Sequence, residues 1–233
     1  MGRTDWDHNA WYHRLLLRQV PPGSRRELEV GCGAGALARQ LAARVPHVDA
    51  VDASAEMVAE ARHGAPPNLT VTHADVSEAE FPAGAYDAVL SLWVLHHLPV
   101  APALELMAGW LRPGGVLAAV ALPRVELPRD VLVEATGAVG HRALGAAFAG
   151  ARLLTGDRWY AVEPMAGRMP MRDPDLTTRE VRRQATAVLP GVRVRRLVYW
   201  RYLLTWTAPR PWTEGAGTVR LWRECPDDPP GAR

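Results

Sequence analysis

The stretch Glu27-Leu-Glu-Val-Gly-Cys-Gly-Ala-Gly35 decides the fold, because a short strand-like run breaks into three glycines at alternate positions. Helix-forming residues follow at once, with leucines at helical spacing. The order is therefore strand, glycine turn and helix, and glycine lets the backbone turn tightly and approach a ligand closely. Taken alone the turn is ambiguous, since Gly31, Gly33 and Ala36 also satisfy the G-x-G-x-x-A pattern of a dinucleotide site.

Three acidic residues, Glu29, Asp52 and Asp75, resolve that ambiguity. Each lies near the end of a predicted strand, and successive members are 23 residues apart. Because ligands bind outside the carboxyl ends of parallel strands, the three converge on one crevice. A carboxylate just before the first glycine repels a pyrophosphate but attracts a sulfonium ligand that carries an ammonium group. Asp52 is placed to accept hydrogen bonds from a ribose diol, and Asp75 from an adenine amino group.

The alternation of strand and helix continues along the chain. Further strands are predicted at 48–51, 69–72, 88–92 and 116–122, with helices at 54–62 and 102–111 between them. This order predicts an α/β fold in which helices cover both faces of a mostly parallel sheet. The stretch 129–152 is helical in composition, but its four glycines argue against one long helix. Thr177 or Thr178 caps a further helix, and two closing strands are predicted at 192–197 and 202–207.

The composition is that of an ordinary globular protein of 233 residues, with 48% hydrophobic and 22% charged residues. The formal net charge is only +2, which gives no electrostatic case for nucleic acid. No apolar run reaches the ~18 residues that a membrane span requires, and the start has no signal-peptide core. The two cysteines, Cys32 and Cys225, lack metal-ligand spacing. We therefore predict no metal and a cytoplasmic location.

Five segments in a specific order and spacing extend over about residues 26–122, roughly half of the chain. They are Glu27–Gly35, Val51–Met57, His73–Asp75, Tyr86–Leu98 and Leu111–Val116. Through them the chain resembles the class I S-adenosylmethionine-dependent methyltransferases of the methyltransferase type 11 group. The resemblance implies a Rossmann-like, seven-stranded, mostly parallel sheet with one antiparallel strand. It also implies S-adenosyl-L-methionine as the cofactor.

The cofactor contacts that the resemblance implies follow the three parts of the cofactor. The methionine part faces Glu29, the backbone of the glycine turn and the backbone near the end of the fourth strand. The glycine-turn residues are Gly31, Cys32, Gly33 and Gly35, and the strand residue is Leu92. Asp52 holds the ribose hydroxyls. The adenine contacts are Ala53, Met57, Asp75 and Val76.

His96 and His97 follow the fourth strand at the mouth of the crevice and are the candidates for a catalytic base. Methyl transfer from a sulfonium is an in-line displacement, so a base is needed only when the nucleophile must lose a proton. In some related O-methyltransferases the first histidine works beside an acidic residue that follows the fifth strand. The nearest acid here is Glu126, which argues against such a dyad. A His-His-Leu-Pro turn that only caps a helix is the alternative.

Residues 1–24 are predicted to form a helical lid that precedes the sheet. His8 and Tyr12 lie on one face of this helix, and with Trp93 they are the substrate or lid candidates, whereas Trp11 is expected to pack on the core. The methyltransferase domain is predicted to span 25–208. Within it 124–176 forms an insertion that caps the acceptor site, and 209–233 is a tail.

The predicted function is methyl transfer to a small organic acceptor, by O- or N-methylation, in specialised metabolism. A peptide or protein N-methyltransferase is an alternative that needs an open groove. A non-catalytic cofactor-binding protein and a nicotinamide oxidoreductase are two others. Methylation of DNA amines is disfavoured because no Asn/Asp-Pro-Pro-aromatic segment follows the fourth strand. The expected partner is a small molecule, with neither nucleic acid nor membrane, and the sequence gives no indication of the oligomeric state.

Overall fold

The computed structural model describes residues 5–158, 160–161 and 172–210, and it is built on one seven-stranded sheet in the order β3-β2-β1-β4-β5-β7-β6. The strands are β1 (Arg26–Val30), β2 (His47–Asp52), β3 (Leu69–His73), β4 (Tyr86–Leu92), β5 (Leu111–Ala121), β6 (Arg193–Leu197) and β7 (Arg201–Thr207). β7 runs antiparallel to both β5 and β6, and the other neighbouring pairs are parallel. The predicted Rossmann-like sheet is confirmed.

Helices cover both faces of the sheet. They are α1 (His8–Leu17), α2 (Ala36–Ala42), α3 (Ala55–Arg62), α4 (Val100–Trp110), α5 (Val131–Thr155) and α6 (Thr178–Val188), with a short 3-10 helix at Leu95–His97. One apolar cluster packs α4 and α6 on the sheet, and the other packs α1, α2 and α3 on the opposite face. Successive strand residues point to opposite faces, so neighbours such as Ala50 and Val51 belong to different clusters.

Side-chain caps fix where several helices begin. The Ser54 hydroxyl accepts a hydrogen bond from the Met57 amide, as predicted. Thr177 and Glu180 form a reciprocal capping box at the start of α6, which settles the choice between Thr177 and Thr178. Asp7 caps α1 by accepting from two backbone amides, so this helix is shorter than the predicted 1–24 segment.

The four glycines of α5 do not break it, contrary to the sequence-based expectation of an interrupted helix. α5 is continuous over 25 residues. A Cβ atom on Gly137 would lie 3.3 Å from the Tyr199 nitrogen, and one on Gly140 would lie 2.9 Å from the Tyr199 hydroxyl. These glycines let the turn between β6 and β7 approach the helix closely, and this packing offsets the low helix propensity of glycine.

Parts of three predicted segments lie outside the described residues. These are 1–4 of the 1–24 lid, 159 and 162–171 of the 124–176 insertion, and 211–233 of the tail. Among the helices that the structure describes, none combines the length and the apolar character needed to cross a membrane.

Glu27 is a buried carboxylate on β1, and neither of its oxygens has a hydrogen-bond partner. Burial raises the pKa of Glu27 to about 7, the negative charge of Asp87 adds to the rise, and Arg44 opposes it. A glutamate in the unfolded chain ionises near pH ~4.3. The folded protein therefore holds this proton when the unfolded chain has lost it, and Glu27 costs stability as pH rises from about 4 towards 7.

Replacing Glu27 with Leu is expected to raise the free energy of unfolding by about 1–3 kcal/mol at pH 8 and by less at pH 5, because an uncompensated buried carboxyl group is removed. Urea unfolding at the two pH values measures this difference. Glu105→Gln, which removes an exposed charge on α4, is the control. An equal effect of Glu27→Leu at both pH values would contradict the titration argument.

Candidate functional site

A cavity of about 910 Å³ opens where β1, β2, β3 and β4 end. The residues that line it on the strand side follow each of these four strands, and α1 contributes Asn9 and His13 from the other side. Among the predicted cofactor residues, those at the cavity wall are Glu29, Gly31, Cys32, Gly33, Asp52, Ala53, Met57, Asp75, Val76 and Leu92. The crevice expected at the carboxyl ends of the strands is thus formed, with the three acidic residues on its wall.

The glycine turn has two different roles along its length. Gly31 has a φ of +75°, and a Cβ atom there would lie 1.8 Å from a methyl carbon of Val94. Gly35 has a φ of +81° and begins α2, where a Cβ atom would meet Arg39 and Ala61. Gly35 does not line the cavity, and its lack of a side chain lets α2 pack closely on α3.

Glu29 presents a buried carboxylate to the cavity. Its residue is 2% exposed, and its Oε2 atom has no hydrogen-bond partner. Burial and the nearby charge of Asp52 hold the pKa of Glu29 well above its ordinary value, and a hydrogen bond from the Ala38 amide opposes them. A cation at this point would favour the ionised carboxylate and would satisfy the free oxygen. Glu29 therefore fits a ligand that carries an ammonium group.

Asp52 is oriented by the glycine turn and by its own strand end. Its Oδ2 accepts from the Gly33 amide at 2.8 Å, and its Oδ1 accepts from the Ser54 amide at 2.9 Å. A carboxylate oxygen has two lone-pair directions, so each oxygen retains one acceptor position for a diol. The backbone hydrogen bonds thus hold Asp52 in place without using up its capacity to accept.

Asp75 caps the turn that follows β3. Its Oδ1 accepts from the hydroxyl and the amide of Ser77 at 2.6 and 2.8 Å, and these hydrogen bonds lower the pKa of Asp75. Met57, Val76 and Leu92 are buried and supply an apolar wall beside it, suited to a nucleobase. Cys32 is a free, buried thiol whose pKa is raised by burial and by the charges of Glu29 and Asp52.

His96 and His97 line the other end of the cavity, with their ring centroids 4.1 Å apart. The Nδ1 atom of His96 is buried without a partner. Burial lowers the pKa of His96 to about 4, and the positive charges of His97, Arg201 and Arg172 act in the same direction. Burial and Arg172 also lower the pKa of His97. Both imidazoles are therefore neutral at pH 7.

The acidic partner of a His–carboxylate dyad is missing from the described residues, where no hydrogen bond or ion pair joins either imidazole to a carboxylate. Glu126, the nearest acid in sequence, instead forms ion pairs with Arg129 and Arg179 at 3.6 and 3.3 Å. The same part of the chain contains no group of three or more His, Cys, Asp or Glu residues arranged to hold a metal ion.

The face of α1 that meets the cavity is not the predicted one. The Tyr12 hydroxyl is directed away to the Val198 carbonyl oxygen at 2.6 Å, and His8 contacts His141 at 2.9 Å. Asn9 and His13, the pair one residue further along, line the cavity instead. Trp93, the third substrate or lid candidate, lines the cavity, while Trp11 is half-buried against the apolar cluster.

Asn9, His13 and Arg201 are site residues that the sequence interpretation missed. Helical spacing does not separate Asn9 and His13 from His8 and Tyr12, because 8–9 and 12–13 both fall one or two turns before the buried pair Leu16 and Leu17. Arg201 opens the otherwise apolar strand β7, where a charged residue is unexpected. Its contacts, however, depend on tertiary packing that no local pattern reveals.

The fold and the cavity together define a class of protein, namely a Rossmann-like protein with a site for a nucleoside that carries a cationic amino-acid tail. The orphaned oxygen of Glu29 fits the ammonium of S-adenosyl-L-methionine. Asp52 fits its ribose diol, and the apolar wall with Asp75 fits its adenine. When bound, this cofactor supplies an electrophilic methyl group on a sulfonium sulfur.

Comparisons with known proteins agree with this class. The family model described as a methyltransferase domain matches residues 28–115. A methyltransferase of Mycobacterium tuberculosis strain H37Rv, described as uncharacterized, is 38% identical over 207 residues, which are 88% of this chain and 98% of that protein. The trans-aconitate 2-methyltransferase of Deinococcus radiodurans is 41% identical over 95 residues, 39% of this chain and 35% of that protein. A methyltransferase structure from Methanosarcina mazei shares the fold, with a TM-score of 0.55 and 16% identity over 84% of this chain and 97% of that one.

The chain belongs to the class I S-adenosylmethionine-dependent methyltransferases, and it is an enzyme that uses S-adenosyl-L-methionine. The nicotinamide alternative is thereby removed. Glu29 and Asp52 are the residues whose chemistry fits the two polar parts of the cofactor, and α1 supplies Asn9 and His13 to the cavity wall.

Proposed function

We propose that the protein methylates a small organic acceptor, on oxygen or nitrogen, as an enzyme of specialised metabolism in the cytoplasm. The observation that carries this proposal is the cavity of about 910 Å³, which continues beyond the cofactor residues to Asn9, His96 and Arg158. Small-molecule sites occupy roughly 300–1,000 Å³, so the volume suits a cofactor together with a small acceptor. Nucleic acid is not part of the proposal, because the net charge is only +2.

We also propose that residues 1–24 act as the lid, that 124–176 cap the acceptor site within a 25–208 domain, and that 209–233 form a tail. Two hydrogen bonds support the first two assignments, because they join 1–24 to 124–176. They run from the Asp7 amide to the Tyr160 carbonyl oxygen and from the Trp6 indole to the His141 carbonyl oxygen. A third, from the Tyr12 hydroxyl to the Val198 carbonyl oxygen, holds α1 on the turn between β6 and β7. A wall held in this way favours an enclosed small acceptor over a peptide in an open groove.

His96 and His97 are proposed to contact the acceptor as neutral imidazoles. A general base works best when its pKa is near the operating pH, and the pKa of His96 is only about 4. Hydrogen bonding and orientation of the acceptor are therefore the roles that we assign to His96. The same argument applies to His97, whose pKa is lowered as well.

The test combines binding with transfer. Isothermal titration should show that S-adenosylhomocysteine binds, and labelled S-adenosylmethionine should transfer its methyl group to members of a small-molecule panel. Asp52→Asn removes one charge and one acceptor oxygen at the ribose position. It is expected to weaken S-adenosylhomocysteine binding by about 1–3 kcal/mol through lost charged hydrogen bonds.

Glu105→Gln is the matched control for Asp52→Asn, because it removes one negative charge from the exposed face of α4. Equal affinity of the Asp52→Asn protein and the parent protein would remove Asp52 from the cofactor site. Binding without transfer to any small acceptor, but with transfer to peptides, would favour the peptide alternative. Binding with no transfer at all would favour a non-catalytic role.

A further inference from the structure

Arg201 is a buried arginine at the start of β7, and its residue is 3% exposed. Its guanidinium donates to two neutral oxygens, the Tyr199 carbonyl at 2.8 Å and the Asn9 side-chain oxygen at 3.4 Å, while its Nε has no partner. Burial lowers the pKa of Arg201 to about 10, so the group is still cationic at neutral pH. None of the described carboxylates forms an ion pair with it.

The carboxylate whose charge does act on Arg201 is that of Asp7. Asp7 is already engaged as the cap of α1, where its Oδ1 accepts from the Asn9 and Ala10 amides at 2.7 and 3.2 Å. A buried charge without a partner is costly, so such a group is normally neutralised by an ion pair or a ligand. Within 5–158, 160–161 and 172–210, Arg201 therefore has no carboxylate paired with it as its burial would require.

Arg201 contacts two residues of the cavity wall. Its guanidinium carbon is 4.8 Å from the centroid of the Trp93 ring, and it donates a hydrogen bond to Asn9; both Trp93 and Asn9 line the cavity. Trp93 has a φ of 67°, a backbone conformation that is unusual for a non-glycine residue. Residues held in this way cluster at ligand sites. The Trp93 indole thus both lines the cavity and contacts the Arg201 guanidinium.

The charges on the cavity wall are unevenly distributed among the elements that form it. The carboxylates lie at the ends of β1 and β2, after β3 or on α3, and they are Glu29, Asp52, Glu60 and Asp75, with the basic Arg39 on α2. The lining residues from α1, from the segment after β4 and from the segment after α5 are Asn9, His13, Trp93, His96, His97 and Arg158, and none of these is acidic. Arg172, whose charge also acts on the two imidazoles, is paired with Asp175 at 3.1 Å. Arg201 and Arg158 therefore place positive charge beside a group of lining residues that contains no carboxylate.

We propose that the acceptor is a small carboxylic acid bound as its anion, whose negative charge serves as the missing counter-ion of Arg201. This inference rests on the proposed function and names the substrate class of the same cavity. The site then has two buried charges of opposite sign, Glu29 and Arg201, and neither forms an ion pair with another of the described residues. Glu29 takes the ammonium of the cofactor, and Arg201 takes the carboxylate of the acceptor through the field across Trp93.

A carboxylate acceptor also agrees with the missing dyad. One carboxylate oxygen forms a bond to the methyl carbon as the bond between that carbon and sulfur breaks, and the electron pair of the broken bond stays on sulfur. The products are a methyl ester and the neutral thioether S-adenosylhomocysteine. No proton leaves the acceptor, so neutral imidazoles at His96 and His97 without an acidic partner are sufficient.

The test uses the full-length protein saturated with S-adenosylhomocysteine and ligand-observed NMR titrations. The probes are benzoate, cinnamate and hexanoate, each compared with its amide, and benzylamine. We expect at least one carboxylate to bind about tenfold more tightly than its amide. Arg201→Met is expected to reduce this preference about tenfold, and Arg158→Gln by about threefold, with S-adenosylhomocysteine affinity changed less than twofold. Arg193→Gln, which removes an exposed arginine from β6, is the matched control.

Arg201→Lys keeps the positive charge and should retain part of the preference for a carboxylate over its amide. If Arg201→Met does not fold, Arg201→Lys and Arg158→Gln are the variants that test the proposal. The proposal is overturned if carboxylates bind no better than their amides, if benzylamine binds best, or if the preference survives both charge removals. Mass spectrometry of mixtures with S-adenosylmethionine should then detect the methyl ester of the carboxylate that binds. If the parent protein does not bind S-adenosylhomocysteine, the proposed function itself fails, and this outcome is distinct from the others.

Discussion

Replacing Gly31 with Ala is expected to lower the free energy of unfolding by about 2–4 kcal/mol, and to weaken S-adenosylhomocysteine binding as well. Two costs add. The φ of +75° is unfavourable for alanine, which costs about 1 kcal/mol, and a Cβ atom 1.8 Å from a Val94 methyl carbon forces one of the two chains to move. Because Gly31 and Val94 both line the cavity, that movement also deforms the cofactor site.

Gly64→Ala separates these two costs. Gly64 has a φ of +66° but has no atom within 4 Å of an added Cβ atom, so only the backbone cost of about 1 kcal/mol should appear there. The double variant Gly31→Ala with Val94→Ala should recover part of the loss, because the clashing methyl groups are gone. Urea unfolding measures all four proteins. If Gly31→Ala and Gly64→Ala are equally destabilised, the close approach of Val94 is not the cause.

The cofactor half of the site follows from the sequence because its determinants are local. Glu29, Asp52 and Asp75 each lie at a strand end, and the order of strands along the chain brings these ends to one edge of the sheet. The glycine turn connects directly to this edge. Strand alternation, turn chemistry and charge all indicate the same crevice, and the structure forms it.

The acceptor half could not be predicted in the same way, because it is built from residues far apart in sequence. Asn9 meets Arg201 across 192 positions, and Tyr12 meets Val198 across 186. Helical periodicity placed His8 and Tyr12 on one face, but the direction of that face depends on the turn between β6 and β7. The number of glycines in α5 likewise does not predict that this helix packs closely on Tyr199.

The cofactor half and the acceptor half of the site share one physical principle. In each half a buried charge, that of Glu29 or that of Arg201, forms no ion pair with any residue that the structure describes. Such groups are unfavourable for the stability of the free protein and favourable for binding a ligand of opposite charge. This coupling predicts that changes at these positions affect ligand affinity more than they affect folding.

Glu29→Gln is the sharpest test of that coupling. It keeps the shape of the side chain and removes the charge, so the cofactor ammonium loses its buried partner. We expect S-adenosylhomocysteine to bind about 2–5 kcal/mol more weakly. Burial holds the pKa of Glu29 well above its ordinary value, so the free protein loses stability as pH rises above the value at which an unfolded glutamate ionises. The free Glu29→Gln protein should therefore be no less stable than the parent protein at pH 8.

Ligand binding should also release a proton, because the ammonium favours the ionised form of Glu29 and lowers its pKa. The affinity is then expected to rise with pH, up to the raised pKa of the free protein. Isothermal titration in phosphate and in Tris measures the proton release, which Glu29→Gln should abolish. Glu27 is a buried glutamate on the same strand and does not line the cavity, so Glu27→Gln should preserve the proton release. A pH-independent affinity in the parent protein, with unchanged binding by Glu29→Gln, would mean that the ammonium is held elsewhere.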